Sequence, residues 1–246
     1  MLTGAYQNEV QLNNVPKEKK TKWVVAFCLL VAAIIVALVI AVILLLREPG
    51  SDKIKIADSG WSVTPSDDGV VVSVGAQIDN NAFGFMAKNL VIIGVGYDAN
   101  KKEIFREDEM CTIDHILPGE KVFCTGSLLL SDEAKVDTVD LVINDDVLKW
   151  TRGGLGKEET SDTFEVHDVE RNEEDGSISC MIKNKSEKTV RDIRAVLILR
   201  KNGHIVGGTW SSSEEEAIAP GEDGTFILSG FNDVDYDDYE VGVNGA

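Results

Sequence analysis

The hydrophobic pattern breaks the chain at one place. From Trp23 to Leu46 there are 24 consecutive positions without charge, Pro or Gly. At ~1.5 Å of rise per residue a helix of that length reaches roughly 36 Å, more than the ~30 Å hydrocarbon core of a bilayer. Beyond it the pattern becomes short and strand-like. Ile54 and Ile56 alternate with polar neighbours, and Val70 to Ile78 is rich in β-branched residues. Leu90 to Tyr97 is a further strand, with Val91, Ile93, Val95 and Tyr97 expected to share one face. Strands are also predicted near 103–106, 110–113, 121–130 and 139–143. Asp98-Ala99-Asn100-Lys101, Pro118-Gly119 and Asn202-Gly203 punctuate them as turns. No helix of useful length is predicted after the apolar run.

The strand pattern repeats. Ile78-Asp79-Asn80 matches Ile182-Lys183-Asn184 at an offset of 104. Val91, Ile93, Val95 and Tyr97 match Ile193, Ala195, Leu197 and Leu199 at 102, and Ile116-Leu117-Pro118-Gly119-Glu120 matches Ile218-Ala219-Pro220-Gly221-Glu222 at 102. Val139 to Asn144 matches Tyr239 to Asn244 at 100. Small drifts of offset are what loop insertions produce. The Gly-rich stretch around Gly153-Gly154-Leu155-Gly156 separates the copies. The expected fold class is an all-β ectodomain of two tandem immunoglobulin-like β-sandwiches preceded by one transmembrane α-helix. The boundaries read as a disordered cytoplasmic tail at 1–22, a signal-anchor helix at 23–46 and a juxtamembrane spacer at 47–52. A first β-sandwich repeat at 53–150, a linker at 151–162 and a second repeat at 163–246 complete the chain.

The order of these motifs resembles the FxLYD-type immunoglobulin-like repeats of bacterial surface and membrane-anchored proteins. The match runs from Ile182-Lys183-Asn184-Lys185-Ser186 through Pro220-Gly221-Glu222 to Phe226. In the first copy it runs through Tyr97-Asp98 and Pro118-Gly119-Glu120 to Phe123. Leu199-Arg200 stands in the second copy where Tyr97-Asp98 stands in the first. The resemblance implies a sandwich fold, an envelope location and a binding or spacing role, and it implies no catalytic residues.

Charge narrows the setting. The formal net charge is −18, and residues 1–22 carry +2, so the remainder carries −20. Such acidity disfavours a nucleic-acid partner. Lys17, Lys19, Lys20 and Lys22 precede the apolar run, whereas Arg47, Lys53 and Lys55 follow it diluted by Glu48 and Asp52. This bias predicts a cytoplasmic N-terminus and an extracellular C-terminal region. The run ends Leu-Leu-Leu-Arg-Glu-Pro without a small-x-small site, so an uncleaved anchor in the cell membrane is expected. The expected partners are the lipid bilayer, through 23–46, and an unidentified protein or envelope ligand. Ala33, Ala37 and Ala41 recur every four residues and are the candidate face for homodimerisation through the helix.

Candidate chemistry is sparse. Cys111 and Cys124 flank one turn and are a candidate disulfide; the alternative is that they are free core residues. Cys111, His115 and Cys124 match no usual zinc spacing. Asp233, Asp235 and Asp237 alternate as hard oxygen ligands and are weak calcium candidates, but an EF-hand register fails at Asp238 and Asn244. Asn184-Lys185-Ser186 fits a glycosylation sequon and reads better as a turn. No nucleophile elbow, P-loop or dinucleotide motif occurs. The expected function is therefore a single-pass envelope protein displaying two domains for binding or spacing, with neither catalysis nor cofactor. The alternative is a metal-dependent envelope enzyme, or a sensor or accessory subunit of a membrane complex.

Overall fold

The structure, a computed structural model, describes residues 17–131, 133–152, 163–231 and 233–244. Most of the expected tail and linker, 1–16 and 153–162, lies outside the described residues. Two compact units divide the chain, Met1–Glu48 and Pro49–Ala246.

Helix α1 (Lys17–Leu46) is 30 residues long and begins within the stretch read as tail. Its side chains from Trp23 to Ile40 are apolar and exposed on every side. A helix with no polar face, left uncovered by protein, is matched to a lipid surround. Among the described residues it is the one helix long and apolar enough to cross a membrane. Pro49, which cannot extend the helical hydrogen-bond ladder, follows shortly after its end. A 3-10 turn, Ser51–Lys53, then leads into the strands.

The second unit is built from four small antiparallel sheets. One sheet has the order β1 (Ile54–Ser66), β2 (Gly69–Asn80), β5 (Lys121–Leu130). A second has β4 (Glu103–Ile116), β3 (Phe85–Tyr97), β6 (Thr138–Ile143), with β7 (Lys149–Arg152) also paired to β3. The C-terminal half repeats this wiring. Its β12 (Asp223–Leu228), β9 (Ile178–Asn184) and β8 (Phe164–Arg171) form one sheet. Its β11 (His204–Ser212), β10 (Arg194–Lys201) and β13 (Asp238–Asn244) form the other. In each half an apolar cluster draws on both sheets. Ala76 and Ile78 meet Leu90 and Ile92 in the first. Cys180, Ile182 and Phe226 meet Ala195, Leu197 and Leu199 in the second.

The recurrent sequence motifs are two ends of one hydrogen-bonded frame. Asn80 donates Nδ2 to the carbonyls of Phe85 and Ile116, both at 2.9 Å, and its Oδ1 accepts the Ala82 N–H at 2.9 Å. Asn184 donates to the carbonyls of Lys188 and Ile218 at 2.7 and 2.9 Å and accepts the Ser186 N–H at 2.9 Å. Both side chains are buried, with 1% and 0% of the residue exposed, so these bonds replace lost water. Each Pro-Gly-Glu forms a type II turn, with Gly119 and Gly221 both at φ 79°. The turn glycines donate back to the carbonyls of Asn80 and Asn184, at 2.8 and 2.7 Å. Asn184 is thus a buried turn residue, as the sequon's alternative reading holds.

Two expectations about register fail. The first is the offset of 102: the cluster between the sheets takes Leu90 and Ile92 of β3, while Val91, Ile93 and Tyr97 are half-buried and Val95, though buried, lies outside that cluster. Asn144 N–H bonds the Val91 carbonyl, while Asn244 stands opposite Arg194. Val91 therefore corresponds to Arg194, an offset of 103, one more than the apolar pattern suggested. A one-residue slip exchanges the two faces of a strand. The slip was invisible because Gly94 and Gly96 occupy the positions of Leu197 and Leu199. A Cβ at Gly94 would lie 3.0 Å from Met110 Cγ, and one at Gly96 would overlap the Phe105 ring. In the first half Phe105 and Met110, both on β4, fill the space that leucines fill in the second.

The second failure concerns the aromatic after Pro-Gly-Glu. Phe226 stands opposite Cys180 in the core. Its counterpart by register is Cys124, opposite Ala76, and not Phe123. Phe123 points the other way, toward the C-terminal half, where it packs on Val196, Ile198 and Ile205.

Candidate functional site

The richest constellation of charged, aromatic and close-packed groups lies where the two halves meet. The sheet β1-β2-β5 turns its outer face to the outer face of β11-β10-β13. Glycines make this approach close. A Cβ at Gly60 would strike the Ile205 carbonyl, and one at Gly75 would lie 2.6 Å from the Gly207 oxygen. A Cβ at Gly242 would lie 2.9 Å from Phe123 Cδ2. The central strands are consequently buried on both faces. Every residue from Ala195 to Leu199 is buried, as is every residue from Val72 to Ala76.

Two bulges aim the polar part of this junction. The ladder of β1 shifts between Ile56 and Asp58, and that of β10 with β11 between Leu199 and Arg200. Such irregularities redirect a side chain that would otherwise follow the pleat. Asp58 Oδ2 accepts from Arg200 Nη1 at 3.1 Å and from the Ile205 N–H at 3.3 Å. Arg200 Nη2 lies 3.5 Å from Glu240 Oε2, and its guanidinium sits 6.0 Å from the Phe123 ring centroid. Asn244 Nδ2 donates to the Phe123 carbonyl at 2.8 Å.

Beside this core a cleft of about 160 Å³ is lined from both halves, including Glu109, Thr112, Arg194 and Trp210. Arg194 stacks over Trp210 at 4.8 Å from the ring centroid, and Trp210 remains 44% exposed. Stacking on the ring leaves the in-plane N–H donors of a guanidinium directed outward.

The cleft also touches Cys111 and Cys124, which are bonded to each other with Cα atoms 6.2 Å apart. Cys111 lies on β4 and Cys124 on β5, so the bond joins the two sheets of the first half. Neither sulfur is then a thiolate for metal or nucleophilic chemistry. Cys180 is free and buried, and burial pushes its thiol up to about 11, which keeps it protonated and unreactive.

The acidic stretch near the C-terminus is turn chemistry. Asp235 pairs with Lys201, and Asp237 Oδ2 accepts the Asn202 N–H at 2.9 Å, holding the Asn202-Gly203 hairpin. Asp233 joins neither contact, so the three calcium candidates do not converge. Among the described residues no group of three His, Cys, Asp or Glu could hold a metal. Glu215 similarly accepts from Ser213 Oγ at 2.7 Å and from Thr225 N–H at 2.9 Å, which lowers its carboxyl below the usual range. Ala33 and Ala37 are exposed on α1, and the Ala41 side chain lies outside the described ones.

Sequence reasoning missed one histidine. His167 Nε2 lies 2.9 Å from Asp223 Oδ1, and Nδ1 lies 3.0 Å from Asp168 Oδ2. A neutral imidazole has one N–H and serves one carboxylate, whereas the imidazolium serves both. The hydrogen bond to Asp223, and then that to Asp168, raises its pKa. Asp168 reaches this position because β8 bulges there, with Asp168 at φ 50°. The placement of β8 and β12 on either side of β9, which brings His167 within reach of Asp223, has no local sequence signal.

No family model and no curated protein matches the chain. Among solved structures it is similar to red sea bream transglutaminase, at 12% identity over 71% of this chain, with a TM-score of 0.23. The match spans 27% of the transglutaminase chain. It is also similar to a mutant Bacillus subtilis oxalate decarboxylase, at 7% identity over 80% of this chain and 77% of that one, with a TM-score of 0.12. Neither likeness is strong enough to inform fold or function. The chain is a membrane-anchored protein carrying a mostly-β unit of four antiparallel sheets.

Proposed function

We propose that this protein is a single-pass, non-catalytic protein of the cell envelope, with its basic end cytoplasmic and its β unit extracellular. In this reading each half is an immunoglobulin-like sandwich of the kind seen in FxLYD-type bacterial repeats. The pair serves as one rigid element for binding or spacing. The observation that carries the reading is the junction. Two flexibly strung domains would leave their outer faces to water. Here Gly60, Gly75, Gly207 and Gly242 bring two sheets together, and Asp58 and Arg200 fix the register. A pair docked this way holds whatever it binds at a constant position relative to its own frame.

Two further features support the reading. The Cys111–Cys124 bond suits an oxidising compartment and so an exported β unit. Hydrogen-bonded polar groups serve the fold, since the calcium candidate Asp237 holds a hairpin, Glu215 a turn, and His167 a bulge. The surface best suited to a partner is the junction cleft, where Trp210 and Arg194 offer the amphipathic and cationic groups common in binding hot spots.

The test is thiol trapping in cells that express the full chain. Free thiols are blocked before lysis, disulfides are then reduced, and the released thiols are mass-tagged. Two tagged cysteines, lost in a Cys111→Ser, Cys124→Ser variant, are expected. If all four cysteines are blocked at the first step, the β unit faces a reducing compartment and the proposal fails. Capture of a protein or envelope ligand by the intact chain, lost on Trp210→Ala, would place binding at the cleft. Capture unchanged by that substitution would move it elsewhere.

A further inference from the structure

The hydrogen-bonded frame around Asn80 and Asn184 is drawn twice, yet the loops it holds differ in chemistry. After Asn80 the loop is Asn81-Ala82-Phe83-Gly84; after Asn184 it is Lys185-Ser186-Glu187-Lys188. The frame fixes both loops at their bases, so the contrast lies in what each presents to its surroundings. The second presents charge. The first presents Phe83, which is 88% exposed although Ala82 beside it is only 2% exposed. Gly84 supplies the left-handed backbone, at φ 72°, that returns the chain into β3. A phenylalanine held outward on a rigid loop gains nothing for folding, because it buries almost no area.

Its place in the fold suggests what it meets. Ile54 pairs with Asn80, and the Asn81 N–H bonds the Lys53 carbonyl at 2.8 Å. The Phe83 loop therefore lies at the end of the β unit where the chain arrives from α1. Only Arg47 to Lys53 intervene between Leu46 and Ile54. Even fully extended, that segment spans at most about 29 Å. The corresponding loop of the C-terminal half has no such tie to the anchor and carries no aromatic.

We infer that Phe83 is a bilayer contact: its ring enters the interfacial region of the membrane that α1 crosses. Aromatic rings are favoured at that depth, where an apolar body meets a partly hydrated surface. Charge decides the kind of surface. Asp52 on the spacer is paired with Lys53 at 3.0 Å, so the local charge is mixed. The chain after residue 22 carries a net −20, however, so an anionic surface would repel the unit as a whole. The contact is apolar and is directed to a zwitterionic surface. It rests on α1 being a retained membrane span, but not on the binding or spacing role.

The full chain is reconstituted in phosphatidylcholine vesicles, with and without brominated acyl chains. Phe83→Trp and Glu187→Trp each add one indole to the same background. Flotation with the vesicles verifies the anchor separately. The expected result is that bromolipid quenches the indole added at position 83 and leaves the one at 187 unaffected. Replacing phosphatidylcholine with an anionic lipid is expected to weaken the quenching at 83. If the chain floats and neither added indole is quenched, Phe83 faces water or a protein partner and the inference is overturned. Failure to float would overturn the anchor itself, and the inference with it.

Discussion

Asp58 and Arg200 are 142 positions apart in sequence, and their side chains meet at 3.1 Å across the junction of the two halves. The pair is largely shielded, with 28% of the Asp58 side chain and 16% of the Arg200 side chain exposed. Removing Arg200 leaves Asp58 with the Ile205 N–H alone, and leaves Glu240 without its guanidinium.

Arg200→Ala is therefore expected to destabilise the β unit by ~1.5–3 kcal/mol, the range for hydrogen bonds to charged groups. Chemical denaturation of single variants and of Arg200→Ala with Asp58→Ala reads the coupling. The double variant should cost clearly less than the sum of the singles. Additive costs would mean that the two side chains do not interact in solution.

Asn80→Ala is expected to cost more than an exposed substitution, about 2–4 kcal/mol, because the carbonyls of Phe85 and Ile116 lose a buried donor. Asn184→Ala should cost less, since the Lys188 carbonyl still accepts from Ser186 Oγ and the Ile218 carbonyl from the Val190 N–H. Thermal melts of both variants check this. A cost near zero at either site would show that water replaces the amide.

The Cys111–Cys124 bond closes a loop across a sequence separation of 13. Its loss through Cys111→Ser with Cys124→Ser is expected to cost about 3 kcal/mol on a chain-entropy model of that loop length. The denaturation midpoint of the wild type should fall on reduction, and that of the variant should not respond to reductant.

His167 gives the unit a dependence on pH with a defined sign. Its folded pKa is raised by Asp223 and then by Asp168, so the clamp contributes fully below the ordinary histidine value near 6.5. The contribution is lost as pH rises through the raised folded value. His167→Asn should therefore lower the melting temperature at pH 5.5 and differ little from wild type at pH 8.5. An equal deficit at both values would assign His167 a packing role instead.

Much of the architecture was legible because it depends on local pattern. The apolar run of α1 needs no partner to be recognised, and Pro-Gly-Glu and Asn202-Gly203 specify their turns through backbone conformation alone. Two-fold strand wiring was legible because Ile-x-Asn and Pro-Gly-Glu carry one frame in both halves. The face of β3 was not, because Gly94 and Gly96 removed the leucines that mark it, and Phe105 and Met110 restored the volume from a different strand. The junction was equally hidden. Its signal was present as near-continuous apolar runs at Val70–Val74, interrupted at Ser73, and at Ala195–Leu199, which alternate too little for strands with one wet face. Asp58, Arg200 and His167 depend on bulges, and a bulge leaves no mark in a single sequence.

The burial of β10 on both sides has a practical consequence for anyone who would divide this protein. A cut between the halves, however cleanly placed in the sequence, would bare Val196, Ile198 and Ile205 on one fragment and Phe123 on the other. Exposed side by side on a sheet, such residues invite self-association. The shortest soluble fragment worth making therefore starts near Pro49 and keeps both halves.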